Sequence, residues 1–359
     1  MISEICFTAD WLEKKRKELG NVDPVLLERA LHAFALLGHL AESGLEFVFK
    51  GGTSLLLHIP EFRRLSIDID IICSSPAEAL DRGLQQISKV APFIDYKDDE
   101  RGSGRLPKRR HFKFYFESKI PGNSAPFVLL DVVEETRIPH VLIQKPITPQ
   151  LLEIQREILV TVPTIESLLA DKLTAFAPRT TGVPFEPPEG KKPELQQIVK
   201  QLFDVGELFM LAENIDEIRG VYQKAFELEN EYRGGGFQMR DALEDTYVTS
   251  MAYCLHGLKR VPQHPDALLL EKGRKSLESH LVNHTFDLPA AKNAAAKSAL
   301  LTRLIAKEDA NPSLAHWRTM PGLEVFPTLE ITGEWSRINS LRSSLPEAFW
   351  YWYQASRQG

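Results

Sequence analysis

Residues Phe47 to Ile72 read FVFKGGTSLLLHIPEFRRLSIDIDII. The pattern predicts a strand, a Gly51-Gly52-Thr53 turn, a short helix and a second strand carrying Asp68 and Asp70. Side chains alternate across a strand, so Asp68 and Asp70 are expected on one face with Ser66. Ile67, Ile69 and Ile71 then fall on the other. Two adjacent carboxylates repel each other unless something cationic lies between them. A divalent metal fills that need, and Mg²⁺ typically binds through one or two carboxylates plus substrate phosphates. A glycine turn lets backbone N–H groups approach a phosphate closely, with a helix N-terminus behind them. The stretch therefore reads as a site for a metal–triphosphate.

Gly51-Gly52-Thr53 followed by Asp68-Ile69-Asp70 resembles the signature of the DNA polymerase β-like nucleotidyltransferases. The fuller pattern is Lys50-Gly51-Gly52-Thr53 with Arg64-x-Ser66-x-Asp68-Ile69-Asp70. It resembles the AbiEii/MenT branch, the nucleotidyltransferase toxins of bacterial toxin–antitoxin and phage abortive-infection systems. The spacer between Thr53 and Asp68 is longer than in many nucleotidyltransferases, and threonine stands where others have serine. Neither departure removes a hydroxyl or a carboxylate. The resemblance implies an α+β fold, a polymerase β-like domain with a small mixed sheet over residues 1–150. A mainly helical domain over 151–359 would complete an active-site cleft.

Bulk properties exclude several alternatives. Of 359 residues, 43% are hydrophobic and 26% charged, ordinary values for a globular protein with two or so cores. The first residues, MISEICFTADW, show no basic segment before an apolar run, so no signal peptide is expected. No apolar run approaches the roughly 18 residues of a membrane span. Cys6, Cys73 and Cys254 are far apart and lack metal-ligand spacing, which fits a reducing cytoplasm and no zinc site. Net charge is −6, but Arg101 to His111 concentrates Arg101, Arg105, Lys108, Arg109 and Arg110 in what reads as a Gly-containing loop. Such a cluster is either a solvated surface loop or a contact to nucleic-acid phosphates.

Elsewhere the reading is coarser. Asp23, Pro24 and Gly44 delimit a helix over 23–43. Ser75-Pro76-Ala77-Glu78 reads as a capping box opening a helix to about Val90. His111–Glu117 and Phe127–Val133 alternate around a turn-rich connection, which predicts a hairpin with Phe112, Phe114 and Phe116 on one face. After Pro163 the chain reads as helical, interrupted by a Pro/Gly-rich loop over 180–193 and a second loop at Gly234-Gly235-Gly236. The aromatic run Phe349–Tyr353 reads as core packing.

Three more charges stand out. Asp131 interrupts an apolar strand, where an unpaired charge is expensive. The family pattern implies a third metal-binding carboxylate at this place, the alternative being a strand-end residue paired with Arg137 or His140. Lys172 falls within the apolar stripe Ile165, Leu168, Leu169, Leu173, Phe176. It either snorkels, pairs with Asp171 or a distant acid, or, as the resemblance of Ala170-Asp171-Lys172-Leu173 implies, contacts the triphosphate. Lys200-Gln-Leu-Phe-Asp204 resembles a helical Lys…Asp motif of the same family, and Asp204 is read either as its functional acid, orienting Lys172 or the incoming base, or as half of a local ion pair.

The resemblance implies transfer of a nucleotide from an NTP to an acceptor hydroxyl. Asp68, Asp70 and Asp131 would bind two Mg²⁺ ions (or Mn²⁺). Lys50, Gly51, Gly52, Thr53, Arg64 and Ser66 would hold the nucleotide, with Lys172 and Asp204 assisting. It further implies an RNA acceptor such as a tRNA 3′ end, neutralisation by a cognate winged-helix antitoxin encoded nearby, and a cytoplasmic location without a membrane. The rivals are transfer to a small molecule or protein hydroxyl, and a binding module of the same fold without turnover.

Overall fold

The computed structural model describes residues 2–59, 61, 63–99, 107–186, 192–259, 261–322 and 324–358. It divides into two compact units. One comprises Met1–Thr164 with Ser279–Thr285; the other comprises Ile165–Glu278 with Phe286–Gly359.

The first unit contains α1 (Ala9–Glu18), α2 (Pro24–Glu42), β1 (Phe47–Lys50), α3 (Gly51–Ser54), β2 (Ile69–Cys73), α4 (Ala77–Ile87), β3 (Phe93–Asp98), β4 (Lys108–Phe116) and β5 (Phe127–Glu134). The five strands form one sheet in the order β1-β2-β5-β4-β3. β2 and β5 run parallel and every other neighbour antiparallel, so the sheet is mixed. Helix α2 starts as its sequence predicts: the Asp23 carboxylate accepts bonds from the Val25 and Leu26 N–H groups at 2.8 and 3.2 Å, with Pro24 at the first turn. Its Leu31, Phe34 and Leu37 join Phe49, Ile69, Ile71, Phe112, Phe114, Leu130 and Val132 of the sheet and Leu80 and Leu84 of α4 in one core. The apolar parity of each strand thus fixes which sheet face is buried. The other parity, carrying Lys50, Asp70 and Asp131, is left for polar chemistry.

The hairpin β6 (Leu142–Pro146) with β7 (Leu159–Pro163) closes this unit. The first unit therefore runs to Thr164 instead of the expected residue 150, because β7 pairs with β6 before the chain enters α5 at Ile165. Ser279–Thr285 also belongs here: the Leu65 and Val282 N–H groups donate to the His280 and Arg63 carbonyls, and Arg64 pairs with Leu281 as an isolated bridge. The expected capping box at Ser75 is not formed. Pro76 is the N-cap without a side-chain bond, and the Ser75 hydroxyl instead accepts from the Glu46 N–H at 2.8 Å.

The second unit is helical, with α5 (Ile165–Ala175), α6 (Leu195–Phe209), α7 (Ile215–Tyr232), α8 (Met239–Leu255), α9 (Pro265–Leu277), α10 (Leu288–Ala306), α11 (Leu314–Arg318) and α12 (Pro346–Ser356). The alanine-rich α10 packs against α6, α8 and α12. Small side chains allow the close approach: a Cβ on Gly206 would lie 2.9 Å from that of Ala294. The aromatic run of α12 supplies core, with Phe349, Tyr351 and Trp352 buried. Among the described residues no helix is long and apolar enough to cross a membrane.

Candidate active site

The register assembles a row of polar groups across the sheet. Lys50 on β1 pairs with Asp70 on β2, Asp70 pairs with Asp131 on β5, and Asp131 pairs with His111 on β4. Registered neighbours on adjacent strands share a face and lie about 5 Å apart. Asp70 and Asp131, 61 positions apart in the chain, are therefore side-by-side carboxylates opposite the apolar core.

The glycine turn closes on this row. Gly51 has φ +80°, and a Cβ there would sit 2.8 Å from the Asp70 Cγ and 2.9 Å from its Cβ, so only glycine admits the Asp70 side chain at this place. A Cβ on Gly52 would lie 2.8 Å from an Arg64 guanidinium nitrogen and 3.0 Å from the Ser66 hydroxyl. Gly51, Gly52, Arg64, Ser66 and Asp70 are thus brought together within the first unit. Arg64 is buried, as is Thr53. The Thr53 hydroxyl donates to the Asp68 carbonyl at 2.5 Å, tying the turn to the carboxylate segment. Asp68 immediately precedes β2 instead of lying within it.

Two partners of these carboxylates were not read from the sequence. His111 Nδ1 lies 2.6 Å from an Asp131 oxygen, whereas Arg137, one of the partners considered for Asp131, pairs with Glu135 at 2.9 Å. Arg29 of α2 donates through Nε to the Phe127 carbonyl at 3.0 Å and lays its guanidinium 5.1 Å from the centre of the Phe127 ring. Burial lowers its pKa, and attraction to Asp68 opposes that shift. The alternation of β4 already placed His111 opposite Phe112; the register with Asp131 is tertiary information. Nothing in the α2 sequence singled out Arg29.

In the second unit, Lys172 of α5 and Asp204 of α6 form an ion pair at 3.1 Å, with side chains 8% and 2% exposed. Of the readings offered for Lys172, this is the pairing with a distant acid, and the acid is Asp204. Asp204 fixes the lysine head inside the apolar stripe, so this lysine does not snorkel out to solvent.

Arg101 and Arg105 lie outside the described residues. Lys108, Arg109 and Arg110 are the start of strand β4, not a loop, because they continue the ladder with Glu134, Val133 and Val132. Alternation then splits them. Lys108 pairs with Glu134 at 2.5 Å, and Arg110 with Asp81 and Asp98 at 2.8 and 3.2 Å. Arg109 alone of the three shares parity with His111 and Asp131.

Among the described residues, no three His, Cys, Asp or Glu side chains converge into a ready-made ion cage. The donor set nevertheless fits a hard divalent cation. Two registered carboxylates with Asp68 beside them suit an ion whose remaining ligands are water and phosphate oxygens, and the missing Cβ of Gly51 makes room for the Asp70 carboxylate.

Residues 35–303, most of the chain, match the sequence profile of the nucleotidyl transferase AbiEii toxin family of type IV toxin–antitoxin systems, and the chain belongs to that family. No curated protein sequence matches it. Among solved structures it is similar to the nucleotidyltransferase toxin MenT4 of Mycobacterium tuberculosis, at 14% identity and TM-score 0.49, over 95% of this chain and 98% of that one. It is also similar to JHP933 from Helicobacter pylori, at 16% identity and TM-score 0.40, over 77% and 92%. A third similar structure is an antigenic nucleotidyltransferase-like protein from Paracoccidioides brasiliensis, at 16% identity and TM-score 0.36, over 58% and 89%.

Proposed function

We propose that this nucleotidyltransferase toxin transfers a nucleotide from an NTP to an RNA acceptor, a tRNA 3′ end being the leading case, and is neutralised by a cognate winged-helix antitoxin in the cytoplasm. The observation that carries the reading is the convergence of Gly51, Gly52, Arg64 and Ser66 with the registered pair Asp70 and Asp131. Asp68 and Asp70 would hold two Mg²⁺ ions, or Mn²⁺, and Asp131 would hold one of them. When bound, such ions lower the charge at the reacting phosphate and favour the ionised acceptor hydroxyl.

The chain's own groups bind and orient. The Gly51–Thr53 backbone and the Arg64 guanidinium meet the β- and γ-phosphates, and Ser66 and Lys50 offer further donors. The acceptor oxygen bonds to the α-phosphorus, the bond to the β-phosphate oxygen breaks, and pyrophosphate leaves. Lys172 and Asp204, paired within the second unit, would assist as the family resemblance implies.

Incubation of the protein with radiolabelled NTPs, Mg²⁺ and bulk cellular RNA tests the reading. Wild type should label RNA, and Asp68→Asn or Asp70→Asn should abolish labelling while leaving the unfolding transition in place. Either variant labelling at the wild-type rate would sink the assignment. Label appearing only in small molecules would redirect the acceptor.

A further inference from the structure

The structure assigns His111 a role of its own: we propose that it is a positioning residue that holds the Asp131 carboxylate in the orientation a metal–nucleotide complex requires. The inference rests on the reading of Asp131 as a metal-binding carboxylate and extends it to a residue outside the family motif quoted above.

The geometry is specific. His111 and Asp131 are cross-strand partners, so their Cβ atoms are close by construction. The ring nitrogen Nδ1 stands 2.6 Å from Asp131 Oδ1. A carboxylate only accepts, so Nδ1 carries the proton and the ring donates. The ring has little freedom to move away. Its backbone is held on one side by β5, and its carbonyl accepts from the Asp99 N–H at 2.7 Å on the other. Lys113, two residues on, pairs with Asp99 at 3.2 Å and braces the same strand edge.

Exposure separates the two partners in a useful way. The Asp131 side chain is 30% exposed and the His111 side chain 17%. The carboxylate therefore keeps an open side while the imidazole backs it. With Oδ1 engaged by the ring, the plane of the Asp131 carboxylate is set beside Asp70, its registered neighbour, and the two would be the carboxylates that hold an ion there. Carboxylates that bind metals are commonly oriented by such a hydrogen bond, and losing the partner weakens metal binding by about 10–100-fold. A merely structural pair would instead reveal itself in stability and leave metal affinity alone.

Mn²⁺ serves as the probe. Free Mn²⁺ is followed by electron paramagnetic resonance during titration of the full-length protein without nucleotide, alongside urea unfolding of each variant. His111→Leu and His111→Gln should weaken Mn²⁺ binding by about 10–100-fold. His111→Asn can place its side-chain N–H near the Nδ1 position and should stay within about threefold of wild type. In the transfer assay the leucine variant should lower kcat with the KM for NTP little changed, because the glycine turn and Arg64 are untouched. Asp131→Asn is measured in parallel. If it loses Mn²⁺ while His111→Leu and His111→Gln bind like wild type, the positioning role is overturned and the metal reading stands. If Asp131→Asn also binds like wild type, both fall.

Discussion

Gly51→Ala should disable the site through its backbone, and the cost can be worked out from the geometry. Gly51 has φ +80°, where an L side chain costs about 1–2 kcal/mol. The new methyl would also lie 2.9 Å from the Asp70 Cβ and 2.8 Å from its Cγ. Rotating the carboxylate does not relieve a contact with Cβ, so β2 or the turn must shift, at about 1–3 kcal/mol more. The total is about 2–5 kcal/mol. Gly44 is the internal control: its φ is +77° and nothing lies within 4 Å of its would-be Cβ, so Gly44→Ala should show the backbone part alone. In an Asp70→Gly background, where the obstructing Cβ and carboxylate are both gone, the excess cost of Gly51→Ala should shrink toward the Gly44 value. That coupling is worth about 1–3 kcal/mol. Urea unfolding followed by far-ultraviolet circular dichroism measures each term. Transfer activity of Gly51→Ala should fall at least about 10²-fold, since a displacement near 1 Å costs that much. Equal destabilisation by Gly51→Ala and Gly44→Ala, with transfer retained, would refute the close approach of Gly51 and Asp70.

Three further outcomes are expected. Lys172→Ala removes the cation 3.1 Å from the buried Asp204 carboxylate and should lower Tm; Lys172→Met combined with Asp204→Leu should recover most of that loss while remaining inactive. The His32 ring is buried against Phe116, with centroids 3.6 Å apart, and desolvation lowers its pKa to about 4 from the usual 6.5. Its neutral-state stability is then complete above about pH 6.5 and is lost as pH falls toward 4, by about 3 kcal/mol, so urea midpoints should decline across that window and decline less in His32→Gln. Arg109→Ala should flatten the salt dependence of RNA binding by about one unit, whereas Lys108→Ala and Arg110→Ala, whose charges are already paired with carboxylates, should leave the slope unchanged.

Local sequence determined the pieces of this protein. The period-two alternation in Phe127–Val133 and His111–Glu117 fixed which side chains face the core, because a one-residue slip would exchange apolar for polar faces. Asp23-Pro24 fixed the start of α2, and Gly51-Gly52 with Asp68-x-Asp70 marked the candidate residues that the fold draws together. These readings depend on neighbours in the chain and on backbone geometry alone. Ser75 shows the limit: the capping pattern was present, yet a tertiary partner, the Glu46 N–H, took its hydroxyl. The end of the basic run departs from the expected loop for the same reason, since partners on β5, unrecognisable from the run itself, draw Lys108–Arg110 into a strand and set their charges on alternating faces. Strand register decided that Asp70 stands beside Asp131 and Asp131 beside His111, and helix packing decided that Asp204 meets Lys172. Each of those pairs joins residues at least 20 positions apart, and periodicity carries no information about which distant strand or helix will supply the partner. That choice is made by burial of the whole core, which is why the chemistry was legible residue by residue while its assembly belonged to the tertiary structure.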